Sequence, residues 1–214
     1  MKLYSYWRSS AAYRVRIALN LKGLEYELIP THLIRDGGEH RQPDYLALNP
    51  QGLVPVLDHD GVVLSQSLAI IEYLDEVFPD PQLLPAEASD RAKVRAIAQL
   101  IACEMHPLNN LRVLQYLRQE LHQDKDAVDD WYQHWIAVGF DALEKLVSEH
   151  GNGRHCFGDN VTLADICLVP QVFNARRFEC DLTPYPELVR VAESLEKQEA
   201  FIKAAPQNQP DAED

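Results

Sequence analysis

Trp7-Arg8-Ser9-Ser10-Ala11-Ala12-Tyr13-Arg14 sets two hydroxyls and an arginine where a short apolar strand, Leu3-Tyr4-Ser5-Tyr6, hands over to a helix. Ser9 and Ser10 are natural N-cap residues. Beyond them Tyr13, Ile17 and Leu21 recur at helical spacing, while Val15, Ala18 and Leu19 widen the apolar face. Gly23 supplies the stop. A helix N-terminus carries unpaired N–H groups and about half a positive charge, so a hydroxyl or thiol held there is biased toward its anion. Serine at the same place also stabilises a helix as a plain cap. Both readings of Ser9 and Ser10 are open on this stretch alone.

Two other stretches could do chemistry of a compatible kind. Asn49-Pro50-Gln51-Gly52-Leu53-Val54-Pro55-Val56-Leu57 puts a proline inside a strand-like apolar run. Proline cannot donate to a ladder, so Val54-Pro55 is either an edge or bulge or a cis bond kept for shape. In the second case the Val54 amide and carbonyl would point outward, able to pair with the backbone of a short peptide. Gln66-Ser67 opens a later helix and offers amide and hydroxyl donors to a carboxylate. Alone it would be a mere cap; together with Ser9-Ser10 and the Val54 edge it could hold a short acidic tripeptide.

The elements needed to position these groups follow in order. Tyr26-Glu27-Leu28-Ile29 alternates as a second strand, and Arg35 to His40 reads as a long polar surface loop before one or two helical turns at Asp44 to Leu48. His59-Asp60-Gly61 is a turn between Val56-Leu57 and Val62-Val63-Leu64, which predicts a hairpin. The helix after Gln66 runs toward Phe78. Strand, helix, strand, helix, strand, strand, helix, with Val-Pro before the hairpin, resembles the thioredoxin fold, although Ser9 to Ala12 holds no redox cysteine pair. Prolines 79, 81 and 85 then mark a linker, giving an α/β domain over 1–80, a linker over 81–87 and an all-helical domain over 88–214.

In that second part Ser89 or Asp90 caps a helix that Pro107 should kink or break. A long helix is expected from Val128 to Val147 with Trp131, Trp135, Phe140 and Leu143 inward. Thr162-Leu163-Ala164-Asp165 opens another with a capping-box pattern and a structural role, and Tyr185-Pro186 starts the last, followed by a frayed polar tail from Pro206. Two pieces could carry chemistry. His106, Asn110 and Arg112 follow the Pro107 kink and either face a cleft between the domains or lie on an ordinary helix surface. Arg177, at the end of an apolar helix, is either an anion-binding group or a solvated charge that suits the helix dipole.

A net charge of −13 over 214 residues argues against nucleic acid or an acidic membrane as the main partner. Any anionic substrate must find a local group of arginines or lysines. No run is long enough to span a bilayer and the N-terminus does not read as a signal peptide, so the cytoplasm is the expected compartment. Cys103, Cys156, Cys167 and Cys180 form no CxxC pair and no metal-ligand spacing with histidine, and are read as reduced thiols.

Taken together, Ser9-Ser10 with Arg14-Val15-Arg16-Ile17-Ala18-Leu19, Asn49-Pro50 with Val54-Pro55, and Gln66-Ser67-Leu68-Ala69-Ile70-Ile71-Glu72-Tyr73-Leu74 resemble the zeta class of glutathione transferases, the maleylacetoacetate isomerases. The likeness extends over nearly the whole chain. It implies a glutathione transferase fold, a homodimer, and glutathione as cofactor, with Ser9, Ser10, Ala11, Arg14, His40, Val54, Pro55, Gln66 and Ser67 holding the tripeptide and His106, Asn110 and Arg112 reaching it. Arg8 and Arg177 would hold a small dicarboxylate substrate beside the catalytic Ser9 and Ser10. The implied reaction is cis–trans isomerisation of maleylacetoacetate in tyrosine and phenylalanine breakdown. Maleylpyruvate isomerisation, a general transferase acting on electrophiles such as α-halo acids, and a non-catalytic binding module are the alternatives. Two positions bear on the choice. Ala11 stands where zeta enzymes usually have cysteine, and Leu111 stands where the maleylpyruvate enzymes tend to carry a second arginine, which tilts the reading toward maleylacetoacetate.

Overall fold

The computed structural model describes residues 1–213, which divide into two compact units. The first contains Met1–Gln82 together with the chain from Lys197 onward; the second is Leu83–Glu196. The expected domain over 88–214 is therefore corrected at its C-terminal end, because the last helix packs on the first unit.

Four strands form the sheet of the first unit: β1 (Lys2–Ser5), β2 (Glu27–Pro30), β3 (Val56–His59) and β4 (Val62–Ser65), in the order β2-β1-β3-β4. β1 and β2 are parallel, with Leu3 opposite Leu28, and the other pairings are antiparallel, with Leu3 opposite Leu57 and Leu57 opposite Leu64. The parallel pair needs a crossover, which α1 (Ser10–Leu21) provides. α1 is buried from Ala12 through Leu19, so its apolar residues are not confined to one stripe. Its end is a Schellman turn: Leu24 N–H bonds the Leu19 carbonyl at 3.0 Å and Gly23 N–H bonds Asn20 at 3.1 Å, with Gly23 at φ +63°. Lys22, whose side chain is fully buried, then donates to Asp75 (2.9 Å) and to the Phe78 and Pro81 carbonyls, tying α1 to the far end of α3 (Ser67–Val77).

The stretch from Arg35 to His40 is not a plain surface loop. It contains two short 3₁₀ turns, and the His40 side chain is buried ahead of α2 (Pro43–Leu48). Nor is the C-terminal tail frayed over its described residues, 206–213; Asp214 lies outside them. A short helix that the sequence reading missed, α9 (Glu199–Ala204), packs on α1, and Pro206 and Gln209 are buried.

The second unit is helical: α4 (Ala88–Gln99), α5 (Leu111–Gln119), α6 (Lys125–His150), α7 (Leu163–Arg177) and α8 (Pro186–Leu195), with α9 following in the first unit. α4 gives way to a π-helical turn, Leu100–Met105, so the regular helix is already interrupted ahead of Pro107. On α6 the inward positions are Val128, Tyr132, Ile136, Phe140, Leu143 and Val147, and Trp131 and Trp135 sit to one side, half-buried. The spacing of the fully buried set is that of a single helical face. Trp131 instead turns its indole N–H to the Leu108 carbonyl at 2.9 Å.

α7 is buried over most of its length, and its start is held by the fully buried Asp165. One carboxylate oxygen accepts Thr162 N–H (2.7 Å) and hydroxyl (2.9 Å), and the other accepts Cys156 N–H (2.7 Å). This closes the expected capping box and adds a long-range bond to it. Removing the carboxylate strands two buried N–H groups. Asp165→Ala should therefore cost about 2–4 kcal/mol, read as a lower urea midpoint at unchanged m by circular dichroism.

Candidate active site

The first unit brings the predicted residues to the N-termini of two helices. Ser9 is the N-cap of α1, at φ −71° and ψ 118°, and its Oγ accepts the Ala12 N–H at 3.2 Å. With an oxygen lone pair engaged by the helix, the hydroxyl proton is left to donate outward, toward whatever anion the helix end attracts. Ser9 N–H in turn donates to the Tyr6 carbonyl at 3.0 Å, which makes residues 6–9 a closed turn. Ser10 is buried behind Ser9, and Ala11 is half-buried in the first turn. Arg8 is held toward the apolar side of the junction, with its guanidinium 3.3 Å from the Tyr6 hydroxyl and 5.0 Å from the centre of the Trp7 ring.

Arg14, one turn into α1 and almost fully buried, reaches the Ser67 hydroxyl at 3.4 Å and so links the two helix starts. Ser67 opens α3 behind Gln66, whose backbone lies at φ 70°, ψ 114°. That region is rare for a residue with a Cβ and is kept where the surrounding structure dictates it, commonly at ligand clamps. The Gln66 amide is exposed and bonded to Gln51 Oε1 at 2.7 Å.

Val54-Pro55 is a cis peptide, which decides between the two readings of that run. Val54 lies just ahead of the first ladder pair of β3, Val56 opposite Tyr4. Its approach is fixed by Leu53, whose carbonyl accepts both the Tyr45 hydroxyl and the Asn49 amide at 2.8 Å. The Val54 side chain joins Tyr6, Tyr45 and Val56 in a small apolar cluster that Trp7 also touches. His40 lies under the same loop: a Cβ on Gly52 would stand 3.1 Å from the His40 carbonyl, and one on Gly38, at φ +100°, would strike the imidazole. Burial, reinforced by the neighbouring Arg41 charge, lowers the His40 pKa and favours a neutral ring.

The remaining predicted residues belong to the second unit and sit on separate elements. His106 follows the π turn, its N–H bonded to Ile101 at 2.9 Å. Asn110 is the N-cap of α5 and accepts the Arg112 N–H at 3.1 Å, while the Arg112 side chain is exposed. Arg177 ends α7, exposed, with its guanidinium 4.7 Å from the Phe178 ring centre and hydrogen-bonded to Tyr132. Phe178 stacks on Tyr132 at 3.6 Å, so an aromatic pair braces this arginine.

Sequence reasoning missed Arg16. It is wholly buried, and its guanidinium donates to the Ser5 hydroxyl (3.0 Å) and to the carbonyls of Tyr6 (3.4 Å), Trp7 (3.0 Å) and Ala204 (3.0 Å). Burial pulls its pKa down to about 10, still charged at neutral pH. The available signal was an arginine between Val15 and Ile17 in a run, residues 11–19, whose other members apart from Tyr13 and Arg14 are apolar.

Comparison with known proteins places this geometry in a family. Residues 8–77 match the glutathione S-transferase N-terminal domain and residues 109–204 the C-terminal domain. A maleylacetoacetate isomerase of Pseudomonas aeruginosa is 52% identical over 99% of this chain and 98% of its own. Among solved structures, a bacterial maleylpyruvate isomerase described as a zeta-class glutathione S-transferase superposes with a TM-score of 0.96 at 50% identity, covering all of both chains. A maleylacetoacetate isomerase of Methylobacterium extorquens AM1, solved with malonate and glutathione, superposes at 0.94 with 41% identity, again over both complete chains. With the thioredoxin-like sheet, the serine-capped α1 and these matches over its whole length, the chain belongs to the glutathione S-transferase family, in its zeta class.

Proposed function

We propose that this protein is a glutathione-dependent cis–trans isomerase that converts maleylacetoacetate to fumarylacetoacetate in the breakdown of tyrosine and phenylalanine. The observation that carries the proposal is the Ser9 hydroxyl: it caps α1 through its oxygen and keeps its proton for an acceptor in front of the helix. The residues present suit glutathione. Val54, beyond the end of its ladder, offers backbone to the cysteine of an extended tripeptide, Gln66-Ser67 at the start of α3 suit the γ-glutamyl carboxylate, and neutral His40 lies toward the glycine end. Ser10, Ala11, Arg14 and Pro55 shape that seat, and His106, Asn110 and Arg112 are proposed to reach the same tripeptide.

Bound glutathione supplies a thiol whose anion can add reversibly to the cis double bond, leaving a single bond free to rotate before the thiolate is expelled. What this chain contributes is electrostatic. Ser9 donates a hydrogen bond to the sulfur, and the N-terminus of α1 adds its partial positive charge; both favour the thiolate, as they would for a cysteine side chain. Arg8 and Arg177 are the groups for the substrate carboxylates and for negative charge that develops on the neighbouring carbonyl, where a planar guanidinium can bind two oxygens at once. Braced against Phe178 and Tyr132, Arg177 loses less freedom on binding than a free surface arginine. Ala11 brings no second thiol to the sulfur, so the Ser9 hydroxyl acts without one.

A homodimer working in the cytoplasm is part of the same proposal. Maleylpyruvate is the second reading, because relatives acting under either name are similar to this chain to nearly the same degree. Leu111, which offers no second guanidinium beside Arg112, favours maleylacetoacetate.

The deciding experiment follows the ultraviolet absorbance of each cis substrate with and without catalytic glutathione, with mass analysis of the products. Formation of the trans isomer with glutathione recovered supports the isomerase; accumulation of a conjugate makes it a transferase, and no turnover of any substrate leaves a binding module. Ser9→Ala should lower kcat by about 100-fold while glutathione affinity, measured by calorimetry, stays within about threefold. Arg177→Ala should raise KM for the dicarboxylate by about tenfold with a smaller change in kcat; unchanged steady-state kinetics would return Arg177 to a solvated helix end.

A further inference from the structure

The tail after α9 returns to the strand–helix junction. Trp7 N–H donates to Asp211 Oδ2 at 3.0 Å. The carbonyls of Tyr6 and Trp7 accept from Arg16, and the Tyr6 carbonyl also takes the Ser9 N–H. The turn that presents Ser9 is thus held by a buried cation on one side and by a carboxylate of the tail on the other. Two residues on, exposed Glu213 Oε1 meets Arg35 at 2.9 Å and His32 Nε2 at 3.3 Å. His32 Nδ1 accepts the Ile34 and Arg35 N–H groups, so its ring proton lies on Nε2, facing Glu213. The same ring stands edge-on to Tyr6 at 5.0 Å.

The tail closes its own fold without Asp211. Gln209 Nε2 donates to the carbonyls of Lys203 (2.8 Å) and Ala205 (2.9 Å), and Pro206 is buried. Asp211 Oδ1 is buried with no hydrogen-bond partner among the described residues, so the hydrogen bonding this carboxylate does is directed at the Trp7 amide. The residue is half-buried and its charge lies close enough to the buried Arg16 cation to interact with it, so charge attraction keeps the carboxylate beside the turn in front of the helix cap while Oδ2 fixes the Trp7 amide.

We infer that Asp211 is a positioning residue for the Ser9 hydroxyl: by fixing the Trp7 amide it sets the direction in which the turn presents Ser9, with Gln209 to Glu213 acting as a strap over the back of the site. The inference rests on the role of Ser9 given under the proposed function. Its physical basis is that hydrogen-bond donors work only within a few tenths of an ångström of their productive place, so slack in the turn weakens the bond to sulfur without removing any group that touches it.

The test uses the full chain and four variants, Asp211→Ala, Asp211→Asn, Ser9→Ala and, as a control in the exposed Glu199–Lys203 pair of α9, Glu199→Gln. Three quantities are read: amide hydrogen exchange of residues 6–9, the pKa of the glutathione thiol in the binary complex from its thiolate absorbance, and kcat with KM. Asp211→Ala should speed exchange of that turn about tenfold, move the thiol pKa toward the Ser9→Ala value and lower kcat about tenfold with KM within about twofold. Asp211→Asn, which keeps an acceptor oxygen, should recover most of the loss, and Glu199→Gln should match the parent. If Ser9→Ala moves the thiol pKa and folded Asp211→Ala leaves pKa and kcat alone, the inference is overturned and the Ser9 role stands. If Ser9→Ala leaves the thiol pKa unmoved, the Ser9 role falls and the inference with it. Should Asp211→Ala not fold, the parent decides: a Trp7 amide that exchanges at the rate of an open loop overturns the strap.

Discussion

The fold of the first unit depends on one buried cation. The Arg16 guanidinium has no exposed surface, and a charge in that position would be strongly destabilising if its donors were left unmet. It meets them with the Ser5 hydroxyl at the end of β1, with two carbonyls of the turn that follows, and with Ala204 at the end of α9. Strand, turn, helix and C-terminal segment are therefore mutually fixed. The carbonyls that Arg16 holds would otherwise be satisfied by water, and the turn would be as loose as other surface loops. Because Ser9 sits at the end of that turn, the same constraint that stabilises the unit also aims the hydroxyl.

A second buried cation plays the corresponding part at the other end of α1. Lys22 gathers Asp75 and two carbonyls from the end of α3 and beyond, which fixes α3 relative to α1 at their far ends while Arg14 and Ser67 meet at the near ends. The two helix N-termini are thereby kept in register. Each has its own electrostatic attraction for an anion. Three cationic side chains, Arg14 and Arg16 of α1 and Lys22 at its C-cap, are thus spent on geometry.

Function in this arrangement comes from what the chain leaves available. Ser9 uses its lone pair on α1 and retains its proton; Val54 stops short of the ladder; Gln66 takes a backbone conformation that a plain helix start would not need. In the second unit the guanidinium of Arg177 is steadied by the stacked Tyr132 and Phe178.

Much of this could be read along the chain because it is local. The Ser9 cap, the hairpin turn, the Gly23 stop and the Thr162–Asp165 box are set by residues within a few positions of one another, and the helix and strand periods follow from which side chains must leave water, although the cap of α4 is Glu87 and not Ser89 or Asp90, which lie inside its first turn. The sequence also determined which residues could stand at two helix starts and beside the Val54-Pro55 bond. It did not reveal Arg16, whose partners lie at residues 5–7 and at 204, nor Asp211, whose partner is Trp7, nor that the tail packs on the first unit. It also misjudged Trp131 and Trp135, because helical spacing names an apolar face without saying which edge of it a neighbour covers. A charged side chain reads as surface until its partners are brought around it, and those partners are distant in the chain. Only the tertiary structure could decide that Arg16 lies inside and that Asp211 meets Trp7, where both hold the turn ahead of Ser9.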